Sequence, residues 1–386
     1  MTLEPAARIR NVQSPVIPLV GEWIAAHPGT ISLGQGVVHY APPASVVEAV
    51  AAASAEIRIG KYGAVKGSVE LLAKIREKVT KENSLQLDEA EVACTAGANM
   101  AFMNAVQAIC DVGDEIILLS PYYFNHEMAI EIAGCRATIV PTDDECQIDL
   151  VALTSAITPR TRAIVTVSPN NPTGAVYPTS VQEHVNRLCA DRGLFHISDE
   201  AYEYFQYEGS HFSPGSLPGA DRHTISLFSL SKSYGMAGWR VGYMVYPRCL
   251  DASIKKIQDT NLICPPIISQ VAGLAALQVG ADWVRKQNAG FREVRDMVLS
   301  ELAALGERVR VPTPSGALYV LVDTQTQGSD LDLVQSLIRE FGVATMPGST
   351  FGIHDRCVLR VAFGALQKDV VSEGIGRLVR GLGELL

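Results

Sequence analysis

The chain has 386 residues, enough for two or three domains at roughly 150 residues each. Hydrophobic residues make up 47% and charged residues 19%, which provides a large core and excludes intrinsic disorder. Lys and Arg number 32 against 41 Asp and Glu, a net charge of −9; with no basic run, this argues against nonspecific binding to nucleic acid or an anionic membrane.

The first 45 residues carry Pro15, Pro18, Pro28, Pro42 and Pro43 and few strand signals. They read as an arm that packs on something else, a partner subunit included. Beyond them, strands are expected at 92–95, 115–119, 137–140, 162–168, 194–198, 224–229 and 241–246. Helices are expected at 98–110, 122–133, 180–192 and 250–279. Strands rich in Ile and Val, separated by helices, indicate a mostly parallel sheet covered on both faces. Residues 284–308 read as one long helix. A shorter βα-type pattern follows at 317–322, 331–341, 343–346, 357–362 and 367–386, indicating a second, smaller α/β domain. The expected division is a large domain over 46–282, with the arm (1–45) and 283–386 forming the rest.

No apolar stretch approaches the ~18–20 residues of a membrane span. The start, MTLEPAARIRNVQSP, lacks the compact apolar region of a secretory signal, so a cytoplasmic location is expected. The eight cysteines contain no CxxC pair and read as buried thiols, not as a disulfide framework or zinc site. His126-Glu127 begins like HExxH, but Ile130 follows where a second His belongs, and no metal is expected.

The segment 229–243, SLSKSYGMAGWRVGY, carries the most chemistry. Ser229, Ser231 and Lys232 fall in the turn at the carboxyl end of a strand, where α/β sheets place ligands. Arg240 follows at the start of the next strand. Two hydroxyls, one amine and one guanidinium suit a phosphate together with a nucleophilic amine. A lone Lys on a turn is more often solvated, but Gly235, Gly238, Trp239 and Gly242 indicate a tightly packed turn. SLSK is also SxxK, an acyl-transfer signature; that rival calls for SDN and KTG, and neither is present.

In ISDEAYEYF, Asp199 ends a strand in the same crevice, placed to keep a heterocyclic nitrogen protonated, with Tyr202 near a phenolic oxygen. The plain alternative is that Asp199 caps the following turn. In SPNNPTG, Asn171 is the amide best placed to face a ligand. In TAGANMA, small residues open a helix whose amides suit phosphate, without a GxGxxG for a dinucleotide. Arg360 stands alone in the apolar strand LRVAFG; a substrate carboxylate and an internal salt bridge account for it equally well.

Together these segments resemble the class I/II aminotransferases, fold-type-I enzymes that use pyridoxal 5'-phosphate (PLP). The resemblance runs from Leu33-Gly34-Gln35-Gly36 to Arg360. It implies a three-layer α/β/α large domain with a mostly parallel seven-stranded sheet, plus a smaller α/β domain. By the same resemblance, Lys232 carries the cofactor and, once freed, moves the proton at Cα. Asp199 keeps the pyridine nitrogen protonated, and Tyr202 and Asn171 bind the ring oxygen. Gly97, Ala98, Asn99, Ser229, Ser231 and Arg240 hold the phosphate. Tyr123 stacks on the ring. Tyr62 of KYGAVKG reaches the neighbouring subunit's phosphate, which makes a homodimer necessary. Arg360 clamps the α-carboxylate, aided by Asn171 and Gly36.

TAGANMAF, PYYFN, YEYF and KIQDTNLICPPIISQ resemble plant and bacterial aromatic or methionine aminotransferases, and LGQG the kynurenine and glutamine transaminase branch. Val37-Val38-His39-Tyr40 replaces a Pro-Asp-Phe of many relatives. Asn99 stands where the aspartate-using branch commonly has Lys. Ile17, Tyr40 and Tyr123 are then expected to form an apolar side-chain pocket. The resulting expectation is a transaminase moving the amino group of a hydrophobic L-amino acid to a 2-oxo acid. A C–S lyase of the same fold and an aspartate-type aminotransferase are the alternatives. A fold-sharing DNA-binding regulator is disfavoured by the acidic charge.

Overall fold

The computed structural model describes residues 3–386. Its strands are β1 (Ile31–Ser32), β2 (Ala90–Thr95), β3 (Glu115–Ser120), β4 (Arg136–Pro141), β5 (Thr161–Val167), β6 (Phe195–Asp199), β7 (Thr224–Ser229), β8 (Gly242–Pro247), β9 (Tyr319–Asp323), β10 (Val343–Ala344), β11 (Met346–Pro347) and β12 (Val358–Ala362). Seven of them form one sheet in the order β2-β8-β7-β6-β5-β3-β4. Strand β8 runs antiparallel to both neighbours, and the pairs from β7 to β4 are parallel. The expected mostly parallel, seven-stranded sheet is therefore present.

Alternation along the strands explains the layers, because successive side chains leave a strand on opposite faces. Ile116, Leu118, Met244 and Tyr246 join one core beneath the helices Ala98–Ile109 and Phe124–Ile132. Ile117 and Leu119 point to the other face with Val185 and Cys189 of the helix Thr179–Arg192, and Tyr243 and Val245 meet Leu71 and Ile75 of Val69–Glu82. A further core joins the antiparallel sheet β11-β12-β9 to the helices Phe291–Leu302, Asp330–Phe341 and Lys368–Leu385.

The expected arm has more regular structure than its prolines suggest. Val16–Ala26 is helical, with Pro18 in the first turn, where no intrahelical N–H is lost. Strand β1 pairs in parallel with β10, fixing residues 31–32 beside residues 343–344. Two expected helices are broken. The 250–279 span divides into Asp251–Leu262 and Ile267–Val279, because Ile263 has a positive φ and Pro265-Pro266 follow. The 284–308 span divides into Ala281–Asn288 and Phe291–Leu302 at Ala289-Gly290, then tightens into a 3₁₀ segment. No single described helix is long and apolar enough to cross a membrane.

Candidate active site

The cavity lies where the carboxyl ends of β2, β3, β5, β6 and β7 meet the small β9–β12 region. It measures about 380 Å³. Ala98, Asn99, Tyr123, Asn171, Asp199, Tyr202, Ser229, Ser231, Lys232, Arg240, Arg360 and Gly36 all line it. Residues expected from seven separate stretches of sequence thus share one crevice. The parallel strands cause this, since each delivers its following loop to the same edge.

The anion-binding end is built by close backbone approach. Gly97 (φ 83°) precedes the helix Ala98–Ile109, and a Cβ there would fall 2.4 Å from Arg240 Nη2. A Cβ on Gly242 would meet the Gly97 carbonyl carbon at 2.8 Å and the Ala98 nitrogen at 2.9 Å. Two glycines therefore let Arg240 lie against the amino end of a 12-residue helix, where free amides and the helix dipole favour an anion. Arg240 itself has φ 51° and donates to the Ala237 carbonyl at 2.9 Å and to Ser231 Oγ at 3.4 Å. Ser229 Oγ caps the short helix Leu230–Ser233 by accepting from the Ser231 amide.

Lys232 is half-buried behind this cradle and lines the cavity. Burial, with Arg240 and Arg360 nearby, lowers its pKa from 10.5 to about 8, and Asp199 opposes the shift. The Tyr40 hydroxyl donates to the Lys232 carbonyl at 2.9 Å, fixing the turn that carries the amine. A Cβ on Gly235 would meet the Tyr40 carbonyl oxygen at 2.5 Å, so the packed turn expected from the glycines is real. Tyr40 is accordingly not a pocket wall. It packs against Trp283 and Phe291 outside the cavity, while Ile17 and Tyr123 do line it.

Asp199 caps the following turn and also lines the cavity. Oδ1 accepts from the Ala201 amide at 3.1 Å, capping the turn, while Oδ2 lies 3.1 Å from His126 Nε2. His126 stacks on Phe102 at 3.9 Å between centroids and meets Tyr123 edge-on. Tyr202 shares a short hydroxyl contact with Tyr319, and burial raises the pKa of both phenols. The Asn125 amide donates to the Tyr123 hydroxyl at 2.8 Å.

Arg360 is buried, and its polar partners are neutral. Nη1 donates to Asn171 Oδ1 at 3.0 Å and Nη2 to the Gly34 carbonyl at 2.6 Å. Tyr319 and Phe351 flank the guanidinium at 4.6 and 4.7 Å. Its Nε has no partner. Among the described residues the internal salt bridge considered for Arg360 is therefore absent, and a buried cation without a counter-charge there suits an anionic ligand. The Gly34 carbonyl that holds it lies two residues before Gly36, which lines the cavity.

Tyr62 does not reach this cavity. It is 81% exposed, on a loop tied down by the Gly63 amide to Cys264 Sγ contact at 3.2 Å. Sequence reasoning missed His126 and Tyr319. His126 lies three positions after Tyr123 on an expected helix, so the shared face was available as a signal. Tyr319 was hidden in an apolar strand. No metal-binding cluster exists among the described residues.

The donor set fits PLP on its own chemistry. It offers a helix-terminal anion cradle, a half-buried amine of lowered pKa, a carboxylate oriented by His126, and an uncompensated guanidinium.

This crevice defines a group-transfer enzyme for small carboxylated amines. The family profile described as aminotransferase class I and II matches residues 28–378. An aromatic aminotransferase of Arabidopsis thaliana is 34% identical, covering 98% of this chain and 96% of its own length. The aspartate/prephenate aminotransferase of Thermus thermophilus is 35% identical, over 92% and 91%. A solved structure of Thermus thermophilus aspartate aminotransferase with maleate superposes with a TM-score of 0.90 at 32% identity, covering 98% of this chain and all of that one. The chain belongs to the class I and II aminotransferases, and it is a transaminase. Several further relatives carry aspartate or aspartate/prephenate names, so the similarities favour the aspartate-type alternative over the hydrophobic-substrate expectation.

Proposed function

We propose that this chain uses PLP to transfer the amino group between a dicarboxylic L-amino acid of the aspartate type and a 2-oxo acid. The convergence of Lys232, Asp199, Arg240 and Arg360 on one cavity carries the reading. The relatives' names support the substrate class. When bound, PLP supplies a ring that accepts the electron pair left as the Cα proton departs. The amides of Ala98 and Asn99, with Ser229, Ser231 and Arg240, bind the phosphate. Asp199, held by His126, keeps a proton on the ring nitrogen. Tyr202 and Asn171 orient the ring oxygen, and Tyr123 covers the ring face. Arg360 binds the α-carboxylate and thereby aims Cα at Lys232. The Lys232 amine would then be placed to take the proton from Cα and to give it back.

A second reading, a hydrophobic donor, is supported by Ile17, Val37 and Phe124 in the lining and by Asn99 in place of a Lys. Comparing kcat/KM for L-aspartate and L-phenylalanine decides between them. The aspartate reading expects at least about a tenfold preference for aspartate; a reversed preference replaces it with the hydrophobic one. We also propose a homodimer, supported by the exposed Tyr62, Ile57 and Val69. Light scattering at the monomer mass would contradict this.

A further inference from the structure

Outside the active site, Cys110 ends the helix Ala98–Ile109, and Cys135 lies between the helix Phe124–Ile132 and β4. The two connecting loops are joined by backbone bonds, Gly113 N to Gly134 O at 2.9 Å and Arg136 N to Asp114 O at 2.9 Å. Cys135 Sγ lies 3.4 Å from the carbonyl of Asp111, the residue after Cys110. Cys135 Sγ thus sits against the turn that follows Cys110, and both thiols are partly exposed. Five of the other six cysteines are buried; Cys249 is exposed.

We propose that Cys110 and Cys135 form a peroxide-sensitive dithiol, with Cys135 the attacking sulfur and Cys110 the resolving one. The Cys110 thiol stabilises the Cys135 thiolate, lowering the Cys135 pKa, while burial and the carboxylates of Asp114 and Asp111 oppose this. The Cys135 thiolate attacks a hydroperoxide oxygen. The O–O bond breaks, leaving a sulfenic acid on Cys135 and releasing hydroxide or alkoxide. Cys110 then attacks the Cys135 sulfur, the S–O bond breaks, and a disulfide forms with loss of water. The two thiols together lose two hydrogens, and hydrogen peroxide is reduced to two waters. The bridge would join the far ends of the two helices whose first residues, Ala98 and Asn99 in one and Phe124 and Asn125 in the other, line the active site. It would also protect Cys135 from irreversible over-oxidation.

The test treats the full-length, PLP-loaded enzyme with hydrogen peroxide, then alkylates and maps its peptides. Free thiols should fall by two from the eight in the sequence. A Cys110–Cys135 linked peptide should appear, and dithiothreitol should reverse it. C110S should instead accumulate a dimedone-reactive sulfenic acid on Cys135, and C135S should leave Cys110 unoxidised. The proposal is overturned if both thiols remain alkylatable while exposed Cys249 is oxidised. It is equally overturned if wild type and C110S trap the same amount of dimedone at Cys135.

Discussion

Arg360 Nη1 and Asn171 Oδ1 are 3.0 Å apart, joined across 189 positions of chain. One residue comes from β12 and the other from the loop after β5, so this bond ties the small sheet to the large one across the cavity. With Nη2 on the Gly34 carbonyl, the guanidinium is oriented before any substrate arrives. Each charge-assisted bond to a carboxylate contributes about 1.5–3 kcal/mol. Arg360→Ala should weaken amino-acid binding by about 10²-fold or more, and Arg360→Lys by less, since it keeps the charge and loses the fork. Titration of the loaded enzyme with a non-reacting dicarboxylate measures this; unchanged affinity in Arg360→Ala would place the carboxylate elsewhere.

The lowered pKa of Lys232 has a sign that can be checked. Only the neutral amine can attack PLP, so cofactor loading of the apoenzyme should rise about tenfold per pH unit below pH 8 and level off above it. Between about pH 8 and 10.5 the unfolded chain holds more protons on this group than the folded one. Its contribution to apoenzyme stability therefore increases with pH through that window. Lys232→Met should abolish turnover and remove that contribution, seen by comparing urea midpoints at pH 7.5 and 10. A loading rate flat from pH 6 to 9 would contradict the assignment.

Asp199 holds both His126 and the turn at Ala201. Asp199→Asn keeps an oxygen for the Ala201 amide but loses the charge. The fold should survive while kcat falls about 10²–10³-fold, the size expected when an oriented electrostatic partner is removed. Asp199→Ala should in addition cost about 1 kcal/mol from the lost cap, read in thermal unfolding. Near-normal kcat in Asp199→Asn would remove its proposed role.

Gly36 faces the Tyr319 hydroxyl so closely that a Cβ would sit 2.2 Å from it. Gly36→Ala should displace Tyr319 from Tyr202 and cost about 1–3 kcal/mol. Removing the hydroxyl in Gly36→Ala/Tyr319→Phe should recover most of that stability. A double variant no more stable than Gly36→Ala would show that the clash lies elsewhere.

The seven strands of the large sheet, the order of its elements and most cavity residues were legible in the sequence, because short Ile- and Val-rich runs and the glycine-spaced SLSKSYGMAGWRVGY segment are local signals. Three kinds of feature were not. The break at Ile263 depends on a positive φ that no hydrophobic pattern encodes. The Tyr202–Tyr319 contact joins residues 117 positions apart, which only the assembled fold brings together. Tyr40 was misread because an aromatic near a glycine-rich turn suits a pocket wall and a packing strut equally well. Substrate choice was the least legible, since it rests on a few lining side chains rather than on a periodic pattern.

The most direct test of PLP chemistry at Lys232 is the visible absorbance of the purified, PLP-loaded protein before and after addition of L-aspartate. The account predicts a yellow band from the lysine-bound cofactor, bleached by L-aspartate, restored by a 2-oxo acid and missing in Lys232→Met. A wild-type protein without the band, or one whose band persists in Lys232→Met, would contradict it.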